Sequence, residues 1–204
     1  MKTPILTGIE GLCEIKYKKD GSIKSGGHEH LQTRIFRPSE VALMRKEMKI
    51  EEKTNFDMSL LLGARYTECK RIQVHPEWYD GNFIHISEHK VKRVTQQRFI
   101  RLSTRGKNTI EYFFNNDKHL PSVQAWDTKL KRWSALAGLG DVGVSARSLR
   151  KTLESWLVIS YPENIALIFG SQGHTELTAL RHYLNMPFTD DEKKEMQEWI
   201  GGWK

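Results

Sequence analysis

Arg147 to Tyr183 reads R-S-L-R-K-T-L-E-S-W-L-V-I-S-Y-P-E-N-I-A-L-I-F-G-S-Q-G-H-T-E-L-T-A-L-R-H-Y. It holds an arginine, Arg150, on a helix-patterned segment, then Gly173 and His174, then Tyr183 nine residues past the histidine. The chemistry open to such a set follows from the side chains. A guanidinium fork binds a phosphodiester through two parallel N–H bonds. A histidine adds a hydrogen bond that strengthens as charge develops on the phosphoryl oxygens. A tyrosine hydroxyl is a nucleophile able to form a covalent intermediate. Taken singly, each residue is more often an ordinary surface Arg, a capping His or a half-buried Tyr.

Order and spacing bind them together. L-R-K-T (149–152), G-H-T (173–175) and H-Y-L (182–184) resemble the C-terminal signature of tyrosine recombinases, the phage-integrase family. The run H-Y-L-N-x-P-F-T, His182 to Thr189, looks like integrases of archaeal viruses and plasmids in particular. The resemblance covers about residues 37–204 and implies the catalytic-domain fold of that family. That fold is α+β, mainly α, with a small antiparallel β-hairpin.

Upstream, Pro38 opens a helix to about Lys49, with Val41, Leu43, Met44 and Met48 at helical spacing. A second helix from about Thr54 ends at Gly63-Ala64-Arg65-Tyr66-Thr67-Glu68. The resemblance implies that Arg65 is the first active-site arginine. Glu68, three residues on, is placed to cap the next helix and to hold the guanidinium. Phe83–Ile86 and Gln97–Leu102 read as strands, and Ser87–Val94 as the loop between them. A catalytic lysine in this loop, donating a proton to the leaving 5′ oxygen, is implied by the family; Lys90 and Lys92 both fit. Residues 103–120 carry no clear element beyond a short apolar I-E-Y-F-F.

After Pro121, Val123, Trp126, Leu130, Trp133 and Leu136 form an amphipathic stripe whose tryptophans belong to a core. Ser145 is the expected N-cap of the helix bearing Arg147 and Arg150, with Leu149, Leu153, Trp156 and Leu157 on its core side. Ile165–Phe169 is a short apolar helix, and Thr175 caps another through Tyr183. Thr189-x-x-Glu192 is a capping box for a last helix with Met196, Trp199 and Ile200 on one face. By the resemblance, this C-terminal segment is a candidate for packing on a neighbouring protomer; the alternative is packing in cis.

The chain has 204 residues, 32 Lys and Arg against 25 Asp and Glu, and a net charge of +7. Its mean hydropathy is −0.57. This bounds one domain, residues 37–204, with a basic N-terminal extension, residues 1–36, turning as a hairpin at Asp20-Gly21. No apolar run reaches membrane-span length and the N-terminus lacks a secretory core, so the expected setting is cytosol or nucleoid. A positive surplus points to a polyanionic partner, nucleic acid or an anionic membrane, and is not specific; the resemblance implies double-stranded DNA. Cys13 and Cys69 are too isolated for a disulfide framework, and the scattered His28, His30, His75, His85 and His89 do not make a metal site. No cofactor is expected.

The mechanism the resemblance implies uses Arg65 and Arg150 on one scissile phosphate, Lys90 or Lys92 as acid, His174 on the phosphate and Tyr183 as nucleophile. Arg147 stands where the family usually has a histidine, and an arginine is no ordinary general base. The 36-residue extension is too short for the helical core-binding domain that most recombinases carry. Three readings follow: a site-specific recombinase, self-associating on DNA and helped by a separate clamp chain; a non-catalytic DNA-binding protein on the same fold; or a relaxing topoisomerase of the related type.

Overall fold

Helix ends fall where local capping chemistry places them. The computed structural model describes residues 33–91, 94–116, 118–173 and 187–203, and at 87–96 the backbone alone. The expected N-terminal hairpin, Cys13, His28, His30, Lys92, His174, the helix from Thr175 and Tyr183 lie outside the described residues. Residues 33–204 belong to one compact unit. Helix α1 (Pro38–Lys46) has proline at its first position, and the Glu40 carboxylate accepts the N–H of Arg37 at 2.9 Å. Helix α2 (Ile50–Leu62) starts four residues earlier than its apolar pattern suggests. Its start is set by Glu52, which accepts the Lys49 N–H at 3.2 Å, rather than by an apolar residue: Ile50 is 77% exposed. Gly63, with φ +57°, closes α2 in the left-handed conformation, and α3 (Tyr66–Val74) begins directly behind it.

Strands β1 (Phe83–Val91) and β2 (Val94–Arg101) form an antiparallel pair. Ile84, Ile86 and Ile100 are buried on its inner face. The long loop expected at 87–94 is instead mostly ladder, because pairing runs on through His89–Gln96 and Lys90–Thr95 to Val91–Val94. Between Ile86 and His89 the register slips, with one extra residue on β1, a bulge.

Helix α4 (Thr104–Asn115) has no clear sequence signal. Ser103 caps it by accepting the Gly106 N–H at 3.0 Å, and Ile110 and Phe113 bury its inner face. Helix α5 (Val123–Leu136) keeps the expected stripe: Trp126, Leu130 and Trp133 are buried, while Val123 and Leu136 at its ends are exposed. Trp126 stacks on Tyr66 at 5.3 Å and meets Trp133 edge-on at 5.6 Å.

Helix α6 (Ala146–Ser160) is central. It packs against α2, α5, α7 (Ile165–Gln172) and α8 (Asp190–Ile200). Leu149, Leu153, Trp156 and Leu157 are all buried, as the spacing predicts. Ser145 is its N-cap residue, and the Ala146 N–H goes to Asp127 of α5 at 2.7 Å. Phe36 is fully buried beside it: its N–H donates to Thr152 Oγ1 at 2.9 Å and its carbonyl accepts Trp156 Nε1–H at 3.1 Å.

The capping box at Thr189 and Glu192 starts α8 as expected. Met196, Trp199, Ile200 and Trp203 are buried within the same chain. Trp203 Nε1–H donates to the Arg101 carbonyl at 3.1 Å, and Ser103 Oγ–H to the Trp199 carbonyl at 2.9 Å. Of the two alternatives for this segment, the described residues show packing in cis: the apolar face of α8 completes the chain's own core. Among the described residues no helix is long and apolar enough to cross a membrane.

Candidate active site

Three separate segments meet at two acceptors, the Glu68 carboxylate and the backbone carbonyl of Gln172. The first segment is the α2–α3 junction. Gly63 turns the chain so that Arg65 becomes the N-cap of α3. Glu68 then accepts the Arg65 N–H at 2.8 Å and one of its Nη–H groups at 3.0 Å. The role expected for Glu68, capping the helix and holding the arginine, is what this geometry provides. The Arg65 side chain stays 46% exposed, so its guanidinium is open to solvent while tethered from below.

The second segment is α6. Arg150, in its first turns, is 7% exposed. One Nη lies 3.8 Å from Glu68 Oε2, and the other donates to the Gln172 carbonyl. Arg147, one turn earlier on the same helix, is exposed. Glu154, one turn later, is fully buried and favours the charge on Arg150.

The third segment is β2, through a residue that sequence reasoning missed. Arg98 is 4% exposed, donates to Glu68 Oε2 at 2.7 Å, and gives its other Nη–H to the Gln172 carbonyl at 2.5 Å. A signal existed: in Arg98-Phe99-Ile100-Arg101-Leu102 a period of two puts Arg98 on the inner face with Ile100 and Leu102. Its length and charge argued against that face, and its partners are remote in sequence.

Gln172 ends α7. Its carbonyl is thus held by two guanidinia, and the next residue, Gly173, turns left-handed at φ +66° into His174. The Gln172 side chain also sits against Gly63, where an added Cβ would lie 2.6 Å from its Nε2. The α2–α3 junction and the entry to His174 are therefore in direct contact. The structure brings together Arg65, Arg150 and the residues preceding His174. Lys90 is placed by its backbone in β1, opposite Thr95.

The electrostatics are those of a cationic cluster in which Arg65, Arg98 and Arg150 surround Glu68, with Glu154 behind Arg150. Burial opposes ionisation of Glu68, yet Arg98, the Arg65 N–H, Arg65 and Arg150 together hold its carboxyl below the ordinary value. Burial lowers Arg98, and lowers Arg150 to about 10; a guanidinium keeps its proton in proteins. Three guanidinia against two carboxylates, Glu68 and the buried Glu154, leave a surplus of positive charge in a low-dielectric setting, which favours an oxyanion. Cys69 lies beneath, its thiol pushed up to about 12 by burial and by the Glu68 charge. Among the described residues no three His, Cys, Asp or Glu side chains are grouped to hold a metal ion.

Comparison with solved structures gives the fold. The chain is similar to the XerH site-specific recombinase bound to its difH substrate in a pre-cleavage complex. The TM-score is 0.56 at 16% identity, over 76% of this chain and 50% of that one. A post-cleavage XerH complex with palindromic difH gives 0.54 at 14% identity, over 81% and 52% of the two chains. The XerA recombinase gives 0.54 at 13%, over 84% and 64%. The chain thus spans about half the length of the XerH structures it matches. Neither a protein-family model nor a curated protein matches it. The mainly α architecture with its two-stranded antiparallel sheet is that of tyrosine recombinase catalytic domains.

Proposed function

We propose that this chain is a site-specific DNA strand transferase of the tyrosine recombinase class. The observation that carries the reading is the convergence of Arg65 and Arg150 on Glu68, with the chain leading into His174 fixed to Arg150 by the Gln172 carbonyl. Two guanidinia held this way suit the non-bridging oxygens of one phosphodiester. Tyr183 Oη attacks the phosphorus in line and the P–O5′ bond breaks. Lys90 or Lys92 gives its proton to the departing O5′, and the tyrosine's own proton leaves to water. His174 hydrogen-bonds the phosphoryl group as charge builds. The product is a 3′-phosphotyrosyl link that conserves the energy of the broken bond, so a second 5′-hydroxyl reverses the step without ATP.

Arg147 takes no proton in this scheme; its fixed positive charge favours the phenolate. The same residue supports the second reading, a DNA-binding protein without cleavage, because the usual base is replaced. Assembly on DNA, with a separate chain supplying a helical clamp, belongs to the proposal, and the apolar face of α8 is already used in cis. The run at His182–Thr189 makes attachment DNA of an archaeal virus or plasmid the first substrate to try.

The test is a suicide duplex, nicked so that cleavage is trapped, incubated with the wild type and with Tyr183→Phe and read on a denaturing gel. An adduct in the wild type alone supports the strand transferase. Salt-sensitive binding without any adduct supports the second reading.

A further inference from the structure

We propose that Arg98 is a positioning residue for this same site, one that keeps Arg150 and Arg65 available to the phosphate by neutralising Glu68; the proposal rests on the strand-transferase reading above. Arg98 spends both of its Nη groups inside the protein, one on Glu68 Oε2 and one on the Gln172 carbonyl. Its importance lies in which oxygen it occupies. Arg98 sits 2.7 Å from Glu68 Oε2, while Arg150 stands 3.8 Å from that same atom. One carboxylate is thus shared among three guanidinia, and Arg98 holds the closest place on the oxygen that Arg150 also approaches.

Burying an ion pair is poor value for stability alone, since apolar residues of similar volume often do as well. The bridge gives something else. Arg98 ties Glu68, and through it Arg65, to the Gln172 carbonyl that leads into His174. It also roots strand β2, and so the hairpin carrying Lys90, to the same two acceptors. Without Arg98, Glu68 becomes an under-compensated buried anion beside Arg150. Closing the remaining gap would then draw Arg150 off the Gln172 carbonyl and away from the substrate phosphate.

This makes a prediction that a merely structural residue does not. Arg98→Met keeps the length and apolar stem but removes the fork. Single-turnover cleavage of the suicide duplex is expected to fall about 100-fold, as for loss of one oxyanion-stabilising group. Duplex affinity should stay within a few-fold at temperatures where the variant is folded, while the melting temperature should drop because Glu68 is left buried with one guanidinium fewer. Adding Glu68→Gln to Arg98→Met removes the anion that captures Arg150, so the double variant should cleave faster than Arg98→Met alone. Arg98→Lys, which supplies charge without the fork, should fall between wild type and Arg98→Met. A duplex with sulfur in place of the leaving 5′ oxygen needs no proton donor. It should not rescue Arg98→Met, because the defect is in the phosphate clamp.

Rescue by the sulfur leaving group would overturn the clamp role and place Arg98 behind the hairpin lysine. A double variant slower than Arg98→Met, or an Arg98→Lys that cleaves no faster than Arg98→Met, would overturn it as well. Wild-type cleavage with Arg98→Met equally active would refute the Arg98 proposal alone. Absence of any wild-type adduct would refute the strand-transferase reading, and this proposal with it.

Discussion

Replacing Gly63 by alanine tests whether the two arginine-bearing segments are locked to the His174 entry. Gly63 has φ +57°, and a Cβ there would lie 2.6 Å from Gln172 Nε2 and 2.7 Å from Leu153 Cδ2. Both neighbours are about 1% exposed, so neither has solvent to swing into. Left-handed backbone costs a non-glycine residue roughly 1–2 kcal/mol. Forcing a methyl into a filled core costs roughly a further 1–3 kcal/mol. Gly138 separates the two effects: its φ is +75°, but nothing lies within 4 Å of its added Cβ. Gly138→Ala should therefore carry the backbone cost alone. For a chain of this size 1 kcal/mol moves the melting temperature by about 2–4 °C. Gly63→Ala should thus melt about 2–12 °C below Gly138→Ala in calorimetry run side by side. Because Gln172 is the residue pushed, Gly63→Ala should also slow adduct formation, while Gly138→Ala should not. Equal melting temperatures for the two variants would refute the close approach of α7 to the α2–α3 junction.

Two further outcomes follow from the ionisation of the site. Glu68 has a folded pKa held below its unfolded value, so its stabilising contribution is present above the unfolded pKa and is lost as pH falls through the lowered one. Melting temperature should therefore fall in acid below the ordinary glutamate range, and Glu68→Gln should flatten that acid limb in a pH series. Cys69, fully buried with its thiol pushed up to about 12, should resist alkylation in the native state. In a Cys13→Ser background, iodoacetamide labelling followed by mass spectrometry should show reaction only once denaturant is added; rapid native labelling would place the thiol at the surface.

Much of the fold could be read from the chain because apolar spacing and caps are local signals. The Trp126, Leu130 and Trp133 stripe, the α6 core face and the box at Thr189 and Glu192 are each complete within a few residues. Helix α4 was hidden because Thr104, Gly106 and Asn108 are weak helix formers in its first turns; a single cap at Ser103 and two buried side chains hold its inner face. The hairpin was read too short because charged residues at 88–93 resemble a loop, whereas backbone pairing there is indifferent to charge.

At the site, Arg65 and Glu68 were readable as a pair three residues apart, and Arg150 by its motif. Arg98 and the Gln172 carbonyl were not, since 30 and 74 residues separate Arg98 from its two acceptors. A main-chain acceptor leaves no trace in residue identity.

The most direct measurement is the chemical address of the covalent link. Trypsin, cutting after Arg181 and Lys193, releases His182–Lys193, whose only tyrosine is Tyr183. Digesting the trapped adduct and sequencing the peptide by mass spectrometry should find a nucleotide joined through its 3′ phosphate to Tyr183, with a free 5′-hydroxyl on the released strand. A link to another residue, or through a 5′ phosphate, would contradict the strand-transfer site built on Arg65, Arg150, His174 and Tyr183.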